Sequence, residues 1–498
     1  MEHKILHREK IILIFVASLI FLIYLFNFSP YFVTHDSIQY TLNIINLRPG
    51  WLDGKPLYIF VGKIFHEFGI SFLPREKIVY VFDFLSAIFA TLTCVNLYFI
   101  YRYLFRKRYI GILSSLCLAF SPLFFFMSVI PNHYTLMLFL STLSVLLWLK
   151  KNFFWWAVCF GLAISSYAIS LLLIFPFVYS ILKQKSYKRE FDKISKVFSL
   201  ILLICLVFYG WVLLFHINKH PGIIKFYYNI ITNDYLVFNN ARGFVLKYLL
   251  CFMMPSLFRS IGFHNMFLFI IMLFYFFTKK RILFKKELWF LFWWFIPYFI
   301  FPLLWSSDNF HFFGRKFVIF ILPALSIILV HSFSEFSLKR NFKLKIKIFS
   351  IILIVFLLFV TIFFSVKEFS SFSSADELGK IEEYSKTLAQ NIPENSVLIT
   401  AWETPYVQFY NDRNLTVIGW FGSTFPEHGV TEFVNLTISE LLAKHGKVYI
   451  TNSFFDQESL WKYQNISTKF EVAGNFIRKN FNVTEYCYDT NLVLEKVS

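Results

Sequence analysis

The chain is 498 residues long, 57% apolar and 22% aromatic, with a mean hydropathy of +0.59. This excludes a soluble globule of ordinary composition and predicts several membrane spans. A formal charge of +18 would suit a nucleic-acid binder, but the basic residues cluster in short loops between apolar runs, where they orient a chain in a bilayer, so no nucleic-acid partner is expected.

Runs of roughly 20 mostly apolar residues, the length a hydrocarbon core requires, predict spans over 11–28, 78–101, 110–129, 134–149, 153–182, 197–217, 263–278, 288–304, 317–335 and 348–366. The first run lacks a small-residue cleavage site and reads as a retained span rather than a signal peptide. The stretch 153–182 is too long for one span and short for two, and it contains Gly161, Ser165, Ser166, Ser170 and Pro176. Two short or re-entrant helices that enter and leave on the same side fit it. The total is about 11 transmembrane helices. With a cytoplasmic N-terminus, the inner loops then hold 25 of the 48 basic residues and the longer outer loops 12, the other 11 lying in the tail from 367. That bias predicts a multi-pass plasma-membrane protein whose loops 29–77, 218–262 and 305–316, and whose tail, face outward. Of the six cysteines, Cys94, Cys117, Cys159, Cys205 and Cys251 lie in or beside apolar segments and Cys487 in the tail, so no disulfide framework or CxxC metal site is expected.

From about 376 the composition becomes that of a soluble domain. ADELGKIEEYSKTLAQ, ETPYVQFYNDR and ISELLAKHG read as helices, and SVLIT, NLTVIGW, KVYIT and CYDTNLVLEKV as strands. The alternation predicts an extracytoplasmic α/β domain over 376–498, following a membrane domain over 1–370. Four N-x-S/T sequons, at Asn414, Asn435, Asn465 and Asn482, agree modestly with an outer location.

The chemistry-bearing residues concentrate in the first outer loop. Asp36 lies just beyond the first span, where partial desolvation raises a carboxylate's basicity. The same Asp36, or Thr34, would also serve as the N-cap of an interfacial helix through SIQYTLNIIN. Asp53 could bind a sugar or a divalent ion, though DG is an ordinary turn signal. Asp83 lies about five residues into its span, roughly 7–8 Å deep at 1.5 Å per residue; an acid there is a functional candidate, with a structural pairing to His133 or Arg259 as the alternative.

Several of these segments resemble the GT-C glycosyltransferases, especially their protein O-mannosyltransferase-like branch. HDSIQY followed by DGKPLYIFVGKIF is similar to that branch's first outer loop, SVIPNHYTLMLFLSTLSVLLWL to its fourth-span entry, FGLAISSYAISLLLIFPFV to its small-residue stretch, and FGRKFVIFILPAL to the basic residue and proline that open a late span. The likeness is spread over roughly 30–335. It implies an inverting transfer of a hexose, mannose-like, from a polyprenyl-phosphate donor to a protein, lipid or glycan hydroxyl. Asp36 would be the base, and Arg315 would grip the phosphate with its bidentate fork, helped by Lys316; for Lys316, snorkelling to the interface is the stronger alternative. His35, Tyr40, Asp53, Lys55, Tyr58, Asp83, His133, Tyr134, Arg242 and His311 would line the site. No cofactor is obligatory; a divalent metal is possible but no ligand spacing indicates one. The family's first-loop motif has His or Pro where this chain has Leu52 and Asp53, and often an acid where it has Asn132 or His133. A transporter or lipid-linked glycan flippase is the competing class, but such proteins show interrupted helices in paired halves, and only 153–182 is interrupted here. A non-catalytic scaffold, with the outer domain binding a partner, is a third reading.

Overall fold

A computed structural model describes residues 2–29, 31–48, 55–70, 72–73, 77–183, 187–219, 254–278, 286–304, 310–337, 344–372, 375–400, 403–411, 413–419, 429–451, 468–481, 483–488 and 492–497. By contacts these form two units: residues 1–30 with 43–372, and residues 31–42 with 373–498.

The first unit is helical. Its helices are α1 (Glu2–Leu25), the end of α2 (His35–Ile45), α3 (Pro56–Ile70), α4 (Val79–Phe105), α5 (Arg108–Ala119), α6 (Pro122–Ser128), α7 (Tyr134–Leu149), α8 (Phe153–Ser166), α9 (Ile174–Leu182), α10 (Tyr187–Lys219), α11 (Met254–Thr278), α12 (Lys286–Leu304), α13 (Phe310–Ser337) and α14 (Leu344–Phe372). Among the described residues four helices are long and apolar enough to cross a membrane, or five if the bent α5–α6 pair is one span. The segment of α13 from Val318 is almost wholly buried, whereas α10 and α14 expose rows such as Leu202, Leu206, Ile352 and Phe356, a lipid-facing surface for a membrane protein. Helix α4 packs against α1, α3, α5 and α7. Polar bonds stitch these contacts: Asn96 Nδ2 donates to Thr142 Oγ1 at 3.2 Å, and Ser115 Oγ to the Cys94 carbonyl at 2.7 Å.

The expected single span 110–129 is in fact two helices, α5 and α6, bent by 73°. Pro122 at the start of α6 has no N–H to continue the helix, and the carbonyls freed upstream all find donors. His264 Nε2 (3.0 Å) and Asn265 Nδ2 (3.1 Å) meet Cys117 O; Ser121 Oγ (2.8 Å) meets Leu118 O; the Tyr24 hydroxyl (2.9 Å) meets Ala119 O. The stretch 153–182 is broken as expected. Tyr167 is extended (φ −165°, ψ 122°) between α8 and a 3-10 turn over Ala168–Leu173. The chain then doubles back: Phe177 of α9 lies 5.4 Å from the rings of Trp156 and Phe160 of α8, and 4.8 Å from Trp148 at the far end of α7. The hairpin therefore enters and leaves at one end, and the Tyr209 hydroxyl of α10 satisfies Ile164 O at its tip, 2.8 Å away. In the expected inner loop 102–109, the buried Glu9 carboxylate ties α1 to Arg102 (3.0 Å) and Arg108 (3.4 Å).

In the second unit a five-stranded sheet runs in the order β2-β1-β3-β5-β4, from β1 (Val397–Thr400), β2 (Thr416–Gly419), β3 (Val448–Thr451), β4 (Val483–Tyr488) and β5 (Leu492–Val497). β1 is parallel to β2 and β3, while β5 is antiparallel to β3 and β4. All four residues of β1 and of β3 are buried, since successive side chains enter opposite faces and both faces are covered. Ile399 and Ile450 pack with Val434 and Ile438 of α17 (Val430–His445) and Ile477 of α18 (Thr468–Asn480), while Leu398 and Tyr449 pack with Leu388 of α15 (Ala375–Asn391) and Val407 of α16 (Thr404–Tyr410). CYDTNLVLEKV, expected as one strand, holds the end of β4 and all of β5, which pair antiparallel with Tyr488 opposite Leu492.

Gly262 kinks α11 at φ 77°, and a Cβ there would stand 2.6 Å from Thr361 Cγ2 and 2.9 Å from Pro122 Cδ. Gly262→Ala is therefore expected to destabilise the helical unit by about 2 kcal/mol, measured as a lower midpoint of thermal unfolding in detergent.

Candidate active site

Asp36 stands in the first turn of α2. The cap of that helix is Thr34, whose Oγ1 accepts the Ser37 amide at 3.1 Å and lies 2.7 Å from Ser37 Oγ. The Asp36 carboxylate is therefore not spent as the N-cap. Residues 31–42 belong to the same unit as the sheet, because the residues just before the helix dock on α16. The buried Phe32 ring lies edge-on to Phe409 at 5.1 Å, and the buried Tyr406 hydroxyl donates to Phe32 O at 3.2 Å. Burial pushes the Tyr406 phenol above its ordinary range, which keeps it a donor. Tyr40 is one turn beyond Asp36 on α2, and His35 is its first residue.

A second constellation forms inside the helical unit. Pro56 at the start of α3 pre-sets the first turn, and Lys55 accepts the Ile59 amide through its carbonyl at 3.0 Å. This buries Lys55 at 7% exposure, with Nζ 5.2 Å above the ring of Tyr167, and places Tyr58 one turn on. Asn132 caps α7: its Oδ1 accepts the amides of Tyr134 (2.9 Å) and Thr135 (3.4 Å), while its Nδ2 donates to Ile130 O (2.8 Å) and Met127 O. An acid at that position could accept but not donate, so asparagine suits the local structure. The cap sets His133 and Tyr134 in place. His133 lies 6.4 Å from Tyr58 and 5.0 Å from Tyr167, ring to ring, and Tyr134 6.0 Å from both Tyr167 and Phe320. Phe320 of α13 stacks in turn on Tyr298 of α12 at 5.4 Å. Burial, with the nearby Asp83 carboxyl adding to it, raises the Tyr58 phenol above its ordinary range.

The structure thus brings together Lys55, Tyr58, His133 and Tyr134. Asp83 is fully buried on α4, and neither of its oxygens has a hydrogen-bond partner among the described residues, so the pairing with His133 is not made. Arg315, Lys316 and His311 fall in the first two turns of α13, and their side chains, like that of His35, lie outside the described residues, as do Asp53 and Arg242 altogether. Tyr167, Phe320 and Tyr298 were not singled out by the sequence. Tyr167 carried a usable signal, a polar aromatic residue straight after the Ser165–Ser166 pair in an interrupted apolar run. No group of three or more metal-ligating side chains occurs among the described residues.

Residues 76–214 match the model of the dolichyl-phosphate-mannose-protein mannosyltransferase family. No curated protein matches the chain. The fold is that of ArnT from Cupriavidus metallidurans: with the crystal structure bound to undecaprenyl phosphate the TM-score is 0.64 at 10% identity, over 97% of each chain. With the apo structure it is 0.60 at 11% identity, over 98% of this chain and 97% of that one. Residues 76–214 are thus similar to a mannosyltransferase family, and the chain as a whole has the fold of a GT-C glycosyltransferase. With at least four helices among the described residues long and apolar enough to cross a bilayer, it is a multi-pass membrane protein. The segment that matches the family spans α4 to α10 and so includes Asp83, His133, Tyr134 and Tyr167, whereas Asp36 and Lys55 precede it.

The docking of residues 31–34 on α16 yields a direct test. Phe409→Ala removes a buried ring and is expected to cost about 3 kcal/mol locally, read by hydrogen-exchange mass spectrometry as faster amide exchange over residues 31–42 and α16 than in the wild type.

Proposed function

We propose that this glycosyltransferase moves a hexose, mannose-like, from a polyprenyl-phosphate carrier to a hydroxyl acceptor on the extracytoplasmic face of the plasma membrane, with inversion at the anomeric carbon. The observation that carries the reading is the mannosyltransferase-family segment at 76–214, inside a chain that shares its fold, nearly end to end, with a protein crystallised on undecaprenyl phosphate. The step needs one base, and Asp36 takes the acceptor proton. The acceptor oxygen then bonds to the anomeric carbon as the carbon–phosphate-oxygen bond breaks, and the phosphate leaves with the electron pair. One displacement and no carboxylate nucleophile means inversion. Arg315 and Lys316 at the start of α13 neutralise the departing monophosphate, and the buried Lys55, whose Nζ lies over the Tyr167 ring, adds a further cation. In this reading the basic-residue bias orients the N-terminus to the cytoplasm and the 376–498 domain outward, about 11 helices cross the bilayer, and Tyr40, His35, Asp53, Arg242 and His311 line the acceptor or donor paths.

Asp36→Asn is expected to lower transfer by roughly 10²- to 10⁴-fold, the range for losing a general base, while the amount of folded protein in the membrane is unchanged. The measurement is mass spectrometry of surface glycans in a host lacking the chain, complemented with either form: the wild type restores a missing sugar unit and Asp36→Asn does not. Full complementation by Asp36→Asn would instead favour a transporter, which has no use for a base.

A further inference from the structure

A general base works only where it is held against the proton it takes, and misplacing a reacting group by about 1 Å can cost about 10²-fold in rate. From Phe32 to Asp36 the chain reads Phe-Val-Thr-His-Asp, with no glycine to act as a hinge. Thr34 makes this stretch one piece with α2, because both its carbonyl (3.0 Å) and its hydroxyl (3.1 Å) accept the Ser37 amide. Whatever holds Phe32 therefore sets where Asp36 stands.

The grip on Phe32 comes from α16, through the edge of the Phe409 ring at 5.1 Å and the Tyr406 hydroxyl at 3.2 Å from the Phe32 carbonyl. Its neighbour Tyr31 lies over Gly379 of α15, where a Cβ would stand 3.6 Å from the Tyr31 hydroxyl. Helix α16 is itself pinned to the sheet. The hydroxyl of its first residue, Thr404, is 2.6 Å from that of Thr400 at the end of β1, and the Glu403 carboxylate just before it accepts the Thr451 hydroxyl at the end of β3. One turn on, Val407 packs with Leu398 and Tyr449 of the same two strands. A packed, hydrogen-bonded path thus runs from two parallel strands through α16 to the residue that bears the carboxylate, all within one compact unit.

We propose that Tyr406 and Phe409 are positioning residues for Asp36, so that the α/β unit holds the base of the transfer in register for the acceptor hydroxyl. This rests on the reading of Asp36 as the base, and the test separates the two. Detergent-solubilised membranes of a host lacking the chain supply donor and acceptor, purified full-length protein is added, and sugar transfer is followed by mass spectrometry. Varying the membranes over a dilution series reads the plateau rate and the half-saturating amount separately. Phe409→Ala is expected to lower the plateau about a hundredfold, the cost of a displacement of about 1 Å, with the half-saturating amount unchanged. Tyr406→Phe, which keeps its ring and loses only the hydroxyl, should lower the plateau about fivefold, within the range for one hydrogen bond. Phe409→Leu, which refills the space left by the ring, should recover most of the loss. Wild-type plateaus in Tyr406→Phe and Phe409→Ala, losses confined to the half-saturating amount, or no recovery in Phe409→Leu overturn the positioning role, and Tyr406→Phe alone decides it should Phe409→Ala fail to fold. Asp36→Asn at the wild-type plateau overturns the reading of Asp36 as the base itself.

Discussion

A backbone carbonyl released from a helix inside hydrocarbon has no water to turn to, and this constraint governs the helical unit. The chain breaks its helices twice in the first half, after Ala119 and at Tyr167, and each time a tyrosine hydroxyl from another helix is waiting. Tyr24 of α1 takes the Ala119 carbonyl, and Tyr209 of α10 takes that of Ile164. Each unmet carbonyl would cost several kcal/mol in lipid, so the breaks exist only because these partners do. Lys55, His133, Tyr134 and Tyr167 sit at such breaks or at helix ends, where the regular ladder stops and the backbone can re-aim a residue.

The consequence is a buried polar and aromatic nest in an otherwise apolar bundle. Lys55 comes from the start of one helix, His133 and Tyr134 from the start of another, Tyr167 from a hairpin tip and Phe320 from the interior of α13. Aromatic rings wall the lysine, and a charge held there is less screened than one at the surface. The proposed base follows a different plan. Asp36 is on a segment that packs with the α/β unit through Phe32, Tyr406 and Phe409, and Thr34 satisfies the helix cap so that the carboxylate does not have to. The segment that bears Asp36 is thus tied to the core of the α/β unit.

The sequence by itself determined the membrane class, most helix positions and the interrupted character of 153–182, because hydropathy and small or proline residues act locally along the chain. α7 falls on the residues its apolar run predicts, and Asp36 stands out as an acid at a span end. The bend between α5 and α6 was hidden, since the run is apolar throughout and only the donors from α1 and α11 make the break tolerable. Phe320 and Tyr298 were equally hidden: an aromatic residue in a chain with 69 phenylalanines and 27 tyrosines carries no mark of its own. What singles out Tyr167 is the cation above its ring, which comes from a loop more than a hundred residues earlier, and whether Asp36 or Thr34 capped α2 depended on which oxygen reached the Ser37 amide. Distances of that kind are fixed only when the helices pack, which is why tertiary structure decided them.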